Sequence, residues 1–148
     1  MKKFNHYILQ SLLLLFINSP SYANENKLSL TVKISGATPG KAQMIMSVFT
    51  SPESYLKKPL ISKNKAVDDN GEVTFVLENL NPGKYSVSII YDEDNNGKLN
   101  TGFLGIPNEP VGFSNNARGT FGPPSYDDTS FNLFESKSIT ISLINADE

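Results

Sequence analysis

The chain has 148 residues, 13 basic and 15 acidic groups, no cysteine and no tryptophan, and its one histidine, His6, stands near the start. The missing thiol excludes a disulfide framework, a cysteine nucleophile and a lipid-modified cysteine. No basic cluster suits it to phosphate backbones, so nucleic acid is not an expected partner.

The first 23 residues have the three parts of a secretory signal. Lys2 and Lys3 come first, then an apolar run centred on "LLLLFI", then "SYA", with Ala23 as the cleavage point. The run from Tyr7 to Ile17 is 11 residues long and contains Gln10 and Ser11, whereas a spanning helix takes about 20 apolar residues. The expectation is export to a periplasm or beyond, with no membrane insertion after cleavage. Residues 24–148 then form one domain, long enough to bury a core. With Lys2 and Lys3 gone, eleven basic groups face fifteen acidic ones, a net charge of −4, and no imidazole remains. That removes the commonest general base at neutral pH and the commonest ligand of zinc, copper and iron. Calcium asks only for oxygen.

"KLSLTVKI" alternates, with Leu28, Leu30, Val32 and Ile34 on one side, the period of a strand with one wet face. "QMIMSVFT" is apolar at both parities and reads as a more central strand. Ser51-Pro52 is a cap followed by a first-turn proline, so a short helix is predicted before Pro59. Asn70-Gly71 predicts a tight hairpin, after which Val73, Phe75 and Leu77 share a face. "NPG" at 81–83 makes a turn, then Tyr85, Val87, Ile89 and Tyr91 alternate with polar residues. "SITISL" closes the series with Ile139, Ile141 and Leu143 inward. Five or six alternating strands with regular turns and one short helix predict an all-β fold, an antiparallel β-sandwich.

From Gly102 to Phe131 the chain is too rich in Gly and Pro for continuous strands. It carries Phe103, Phe113, Phe121, Tyr126 and Phe131, too many aromatics for a disordered linker. It is predicted to be one long ordered loop, either wrapped over an edge of the sandwich or facing a ligand.

The stretch "YDEDNNGKLNTGFLGIPNEPVGFSNNARGTFGPPSYDDTSF", Tyr91 to Phe131, resembles the signature of the bacterial domain-of-unknown-function family 2141, and the upstream strands with their "NPGKY" turn agree more loosely. The resemblance implies a small exported sandwich of the prealbumin or transthyretin-like kind. It implies no catalytic residue.

In "DEDNNG", Asp92, Asp94 and Asn96 stand at positions one, three and five of a D-x-D-x-N-G calcium loop with Gly97 at six. The carbonyl of Lys98 and the side chain of Asn100 would be the next ligands. The twelfth position, normally a bidentate Glu, is Phe103. Closure therefore needs oxygens from another segment, and Glu109, Asp127 and Asp128 are the candidates. The alternative is an acidic turn without metal, built on Asn96-Gly97. Arg118, the only arginine, is expected to clamp the long loop onto Asp127, Asp128 or Glu109, or to present its charge to an anionic ligand.

Ser54 and Lys57 have S-x-x-K spacing, but its companion motifs are missing, and a carboxylate pair for hydrolysis has no visible signature in sequence. Three readings are open. In the first, a non-catalytic module presents Arg118, Phe113, Phe121 and Tyr126 to a peptide, glycan or envelope partner. In the second, the domain is purely structural. The third, a small carboxylate hydrolase, is the one the composition most opposes. Exposed Phe113, Phe121 and Tyr126 would favour the first, and burial of all three the second.

Overall fold

The computed structural model describes residues 27–40 and 42–145. The leader, with Lys2, Lys3, His6 and Ala23, lies outside the described residues. Among the described residues no helix is long and apolar enough to cross a membrane.

Among the described residues eight strands form two sheets. They are β1 (Leu28–Ser35), β2 (Gln43–Phe49), β3 (Ile61–Ala66), β4 (Val73–Leu80), β5 (Gly83–Asp92), β6 (Val111–Phe113), β7 (Phe131–Leu133) and β8 (Lys137–Ser142). One sheet has the order β4-β1-β8 and the other β3-β2-β5-β6, with β7 on the first residues of β5. The pairings are antiparallel except β1 with β8, which is parallel. That parallel pair departs from the all-antiparallel expectation. It arises because the chain re-enters the first sheet beside the start of β1, where the Ser29 amide donates to Ser136 Oγ.

The alternation in sequence becomes the core. Leu30, Val32, Met44, Met46, Val48, Val87 and Ile141 are sealed from solvent between the sheets, with Phe75, Leu77, Ile89 and Tyr91 beside them. Each such side chain contributes about 1.5–3 kcal/mol by leaving water. β2 is central, as its two apolar parities suggested, and its outward Phe49 is also buried.

Two local expectations need correction, the helix after Ser51 and the hairpin at Asn70-Gly71. Residues 51–58 form turns, with Tyr55 N bonded to Ser51 O and Leu56 at φ 53°, instead of a helix. Among the described residues the α-helix, α1, is Tyr126–Thr129, started by a reciprocal cap between Ser125 and Asp128. Asn70-Gly71 does not close a hairpin, because β3 and β4 lie in different sheets. It makes a crossover turn in which Asp68 Oδ1 accepts from the amides of Asn70 and Glu72. Gly71 sits at φ +75°, and a Cβ there would collide with the Ala37 carbonyl oxygen, so glycine is required. The "NPG" turn likewise passes between sheets, and Tyr85 Oη donates to Asn81 O at 2.8 Å. The strand β3, "ISKNKA", carries too few apolar residues to be read from periodicity.

Candidate functional site

β5 ends on Asp92, and the side chain of that residue organises the loop beyond it. Asp92 is fully buried. Its Oδ1 accepts from the Asn96 amide at 3.1 Å, and its Oδ2 from the Gly97 amide at 2.8 Å and from Gln43 Nε2 at 2.7 Å. Gln43 is placed for this by register, directly opposite Asp92 on β2. Gly97 at φ +82° and Asn95 at φ 59° supply the left-handed backbone that folds the loop around the carboxylate.

Glu109, only 3% exposed, closes the loop from its far end. Its Oε1 accepts from the Glu93 amide at 3.0 Å and its Oε2 from the Asn100 amide at 2.8 Å. The returning chain is held by Asn108 N to Asn100 O and Tyr91 N to Pro110 O, each 2.9 Å. Asp94 is exposed and accepts from Asn96 and from Asn100 Nδ2 at 2.8 Å. The Asn100 hydrogen bond does most to hold its carboxyl below the ordinary Asp range, with burial opposing and Asn96 assisting.

Carboxylate oxygens of Asp92, Asp94 and Glu109 all lie within 4.8 Å of one another. Of the other predicted ligands, Asn96 and Asn100 face the same loop, with Asn96 Nδ2 to Asn100 Oδ1 at 2.8 Å. The Lys98 amide donates to Asn96 Oδ1 at 2.9 Å. Asp127 and Asp128 do not join the cluster of carboxylates. Asp127 pairs with Lys84 at 3.0 Å, and Asp128 is spent on the Ser125 cap.

The predicted twelfth-position residue, Phe103, stands on a tip where Gly102 N bonds to Ile106 O at 2.8 Å and Leu104 and Gly105 are left-handed. Phe103, Leu104 and Ile106 all face solvent there.

The remainder of the long segment adds β6 to the edge of the second sheet, ties to β8 where the Ser142 amide donates to Asn116 Oδ1, and lays α1 on the outer face of the second sheet. Ser114 sits where β6 stops: its hydroxyl accepts the Val87 amide at 2.9 Å and donates to the Thr129 carbonyl. Ser86 Oγ meets Thr129 Oγ1 at 2.7 Å beneath it. Tyr126 packs edge-on against Tyr55, and Tyr55 against Phe49, with centroids 5.8 and 5.4 Å apart. This aromatic stack is a second, smaller core that fastens the segment down.

Phe113 and Tyr126 are therefore buried supports, not the contact residues they were expected to be, whereas Phe121 is fully exposed. Arg118 is exposed and engaged with the fold. The three acids offered to it accept from other donors: Asp127 from Lys84, Asp128 from Ser125, and Glu109 from the loop amides. Ser54 Oγ donates to the Ser51 carbonyl at 3.0 Å within a turn, which gives no support to the S-x-x-K reading.

Sequence reading missed Ser114 and Thr129, since an isolated hydroxyl carries no pattern. It also missed α1, whose Ser125-x-x-Asp128 cap was a usable signal.

A family profile described as "Uncharacterized protein conserved in bacteria (DUF2141)" matches residues 32–142. The chain belongs to this family. The match takes in the carboxylate cluster, Ser114 and α1 of this DUF2141 chain. No curated protein and no solved structure matches it.

Proposed function

We propose that the chain is an exported, non-catalytic β-sandwich module that holds a calcium ion in the loop between Asp92 and Glu109. The ordered segment beyond that loop then serves as a contact surface for a peptide, glycan or envelope partner. The observation that carries the reading is the convergence of Asp92, Asp94 and Glu109 within 4.8 Å, two of them buried.

Three like charges at that separation repel by roughly 1 kcal/mol per pair in water and several at an effective dielectric near 20. Their backbone donors offset part of this. Each Glu109 oxygen accepts a main-chain amide, and a carboxylate oxygen has a second lone pair to offer a cation. The donor set is all oxygen: three carboxylates with the side-chain oxygens of Asn96 and Asn100 nearby. That suits a hard cation. Glu109 supplies the closing carboxylate that Phe103 cannot.

The non-catalytic part of the reading rests on the chemistry available. Residues 24–148 contain neither imidazole nor thiol. Asp94 is held below the ordinary range, opposite to what a general acid needs. Exposed Phe121, Phe103 and Leu104 favour a contact role, while burial of Phe113 and Tyr126 limits that role to the tips.

Thermal melts of the purified protein in calcium and in chelator test the cation site. With a dissociation constant near 0.1–1 mM, 10 mM calcium stabilises by about 1.4–2.7 kcal/mol. At roughly 4 °C per kcal/mol for a domain of this size, the melting temperature rises by roughly 5–10 °C. An unchanged melt at 10 mM calcium would remove the metal from the proposal.

A further inference from the structure

β3 and β4 are the edge strands of opposite sheets, and consecutive in the chain, so their free edges face each other across the open side of the sandwich. A groove of about 570 Å³ runs between them, lined by residues 62–65 and 74–76. Its charge is one-sided. Lys63 and Lys65 are the charged residues that line it and no acid does, although residues 24–148 are net negative.

The placement of Lys63 and Lys65 is unusual. They pair in register with Met46 and Met44, whose side chains point into the core, so both lysines rise from the core-side face of β3. They are exposed nevertheless, because the sheets part at this edge. Lys65 Nζ reaches over to the Thr74 carbonyl of β4 at 3.1 Å. Neither lysine has an ion-pair partner among the described residues.

Inward-pointing lysines on an edge strand protect it from pairing with an apolar strand or a second copy of itself. The same charges select a strand that brings carboxylates. We propose that the β3–β4 seam docks an extended acidic peptide segment. The segment adds to the free edge of β3 by main-chain hydrogen bonds and places alternate acidic side chains on Lys63 and Lys65. The seam lies apart from the carboxylate loop, and its test does not depend on the cation.

The probe is a six-residue peptide of alternating aspartate and valine, matched to the six residues of β3. It is titrated into the protein at low salt and followed by backbone amide NMR. Shifts are expected along Ile61–Ala66 and Thr74–Val76, weakening as salt rises. Methylating alternate peptide nitrogens, which removes strand pairing but keeps the charge, is expected to weaken binding about tenfold. The pair K63Q and K65Q, with fold checked by circular dichroism, weakens it by a similar factor. The proposal is overturned by absent shifts at millimolar peptide. Equal binding of the methylated peptide or of an acidic oligosaccharide also overturns it, since either means that charge alone is recognised.

Discussion

Replacing Ser114 with alanine tests whether the long segment is a folded part of the domain. The Ser114 hydroxyl satisfies two main-chain groups on different elements, the Val87 amide of β5 and the Thr129 carbonyl at the end of α1, in a fully buried position. Alanine removes only one oxygen, so the transfer and cavity costs are small. It leaves an N–H and a C=O without partners, however, and each such orphan costs about 1–3 kcal/mol. Relaxation and partial entry of water bring the sum to about 2–4 kcal/mol, or roughly 8–16 °C in melting temperature. Urea unfolding measures the stability, and amide exchange at Val87 shows whether the segment lifts locally. Phe121→Ser is the control. Its side chain is fully exposed, and a change under about 0.5 kcal/mol is expected. A Ser114→Ala protein within about 0.5 kcal/mol of the parent, with Val87 still protected, would refute the account of how the segment is held.

Glu109→Gln should abolish the calcium-dependent rise in melting temperature, because the substitution leaves one oxygen where the closing carboxylate had two; an undiminished rise would place the ion elsewhere. Tyr55→Phe should be neutral or stabilising by up to about 1 kcal/mol in urea unfolding. The Tyr55 hydroxyl is sealed in without a hydrogen bond, and burial raises its pKa despite the opposing influence of Thr129, whose own hydroxyl is committed to Ser125, Tyr126 and Ser86. Asp94 titrates below its ordinary value of 3.8 in the folded protein. Its contribution to loop order is therefore complete above that value and lost as pH falls through the folded pKa. Carboxyl NMR titration should show this, with Asn100→Ala moving the midpoint back up towards 3.8, and an unmoved midpoint counting against the Asn100 contact as the main cause.

Strand faces were legible in the sequence because the period of two is local. Leu28 to Ile34, Val73 to Leu77 and Tyr85 to Tyr91 needed no partner to declare which side is apolar, and those sides are the ones buried. Asp92, Asp94 and Asn96 were legible for a similar reason, since they lie within one turn of chain. Which distant acid comes to lie beside them was not. Glu109 and Asp127 looked equivalent, and only the return of the chain along Asn100 and Asn108 separates them.

Aromatic residues posed the same problem in another form. Phe113, Phe121 and Tyr126 are alike in composition, but the outer face of the second sheet covers two of them and not the third. Turn chemistry also stopped short of topology. Asn70-Gly71 specifies a reversal, yet whether the next strand joins its predecessor or the opposite sheet depends on which edge is already taken by β2.

By itself, then, the sequence determined the all-β class, the inward faces of its strands and the oxygen-only chemistry of the acidic loop, all of which depend on residue type and near-neighbour spacing. The tertiary structure alone decided the strand order, the placing of Glu109 beside Asp92, the hidden hydroxyls of Ser114 and Thr129, and the meeting of two free edges at Lys63 and Lys65. These are contacts between segments far apart in the chain, and their energies exist only once the backbone has brought the segments together.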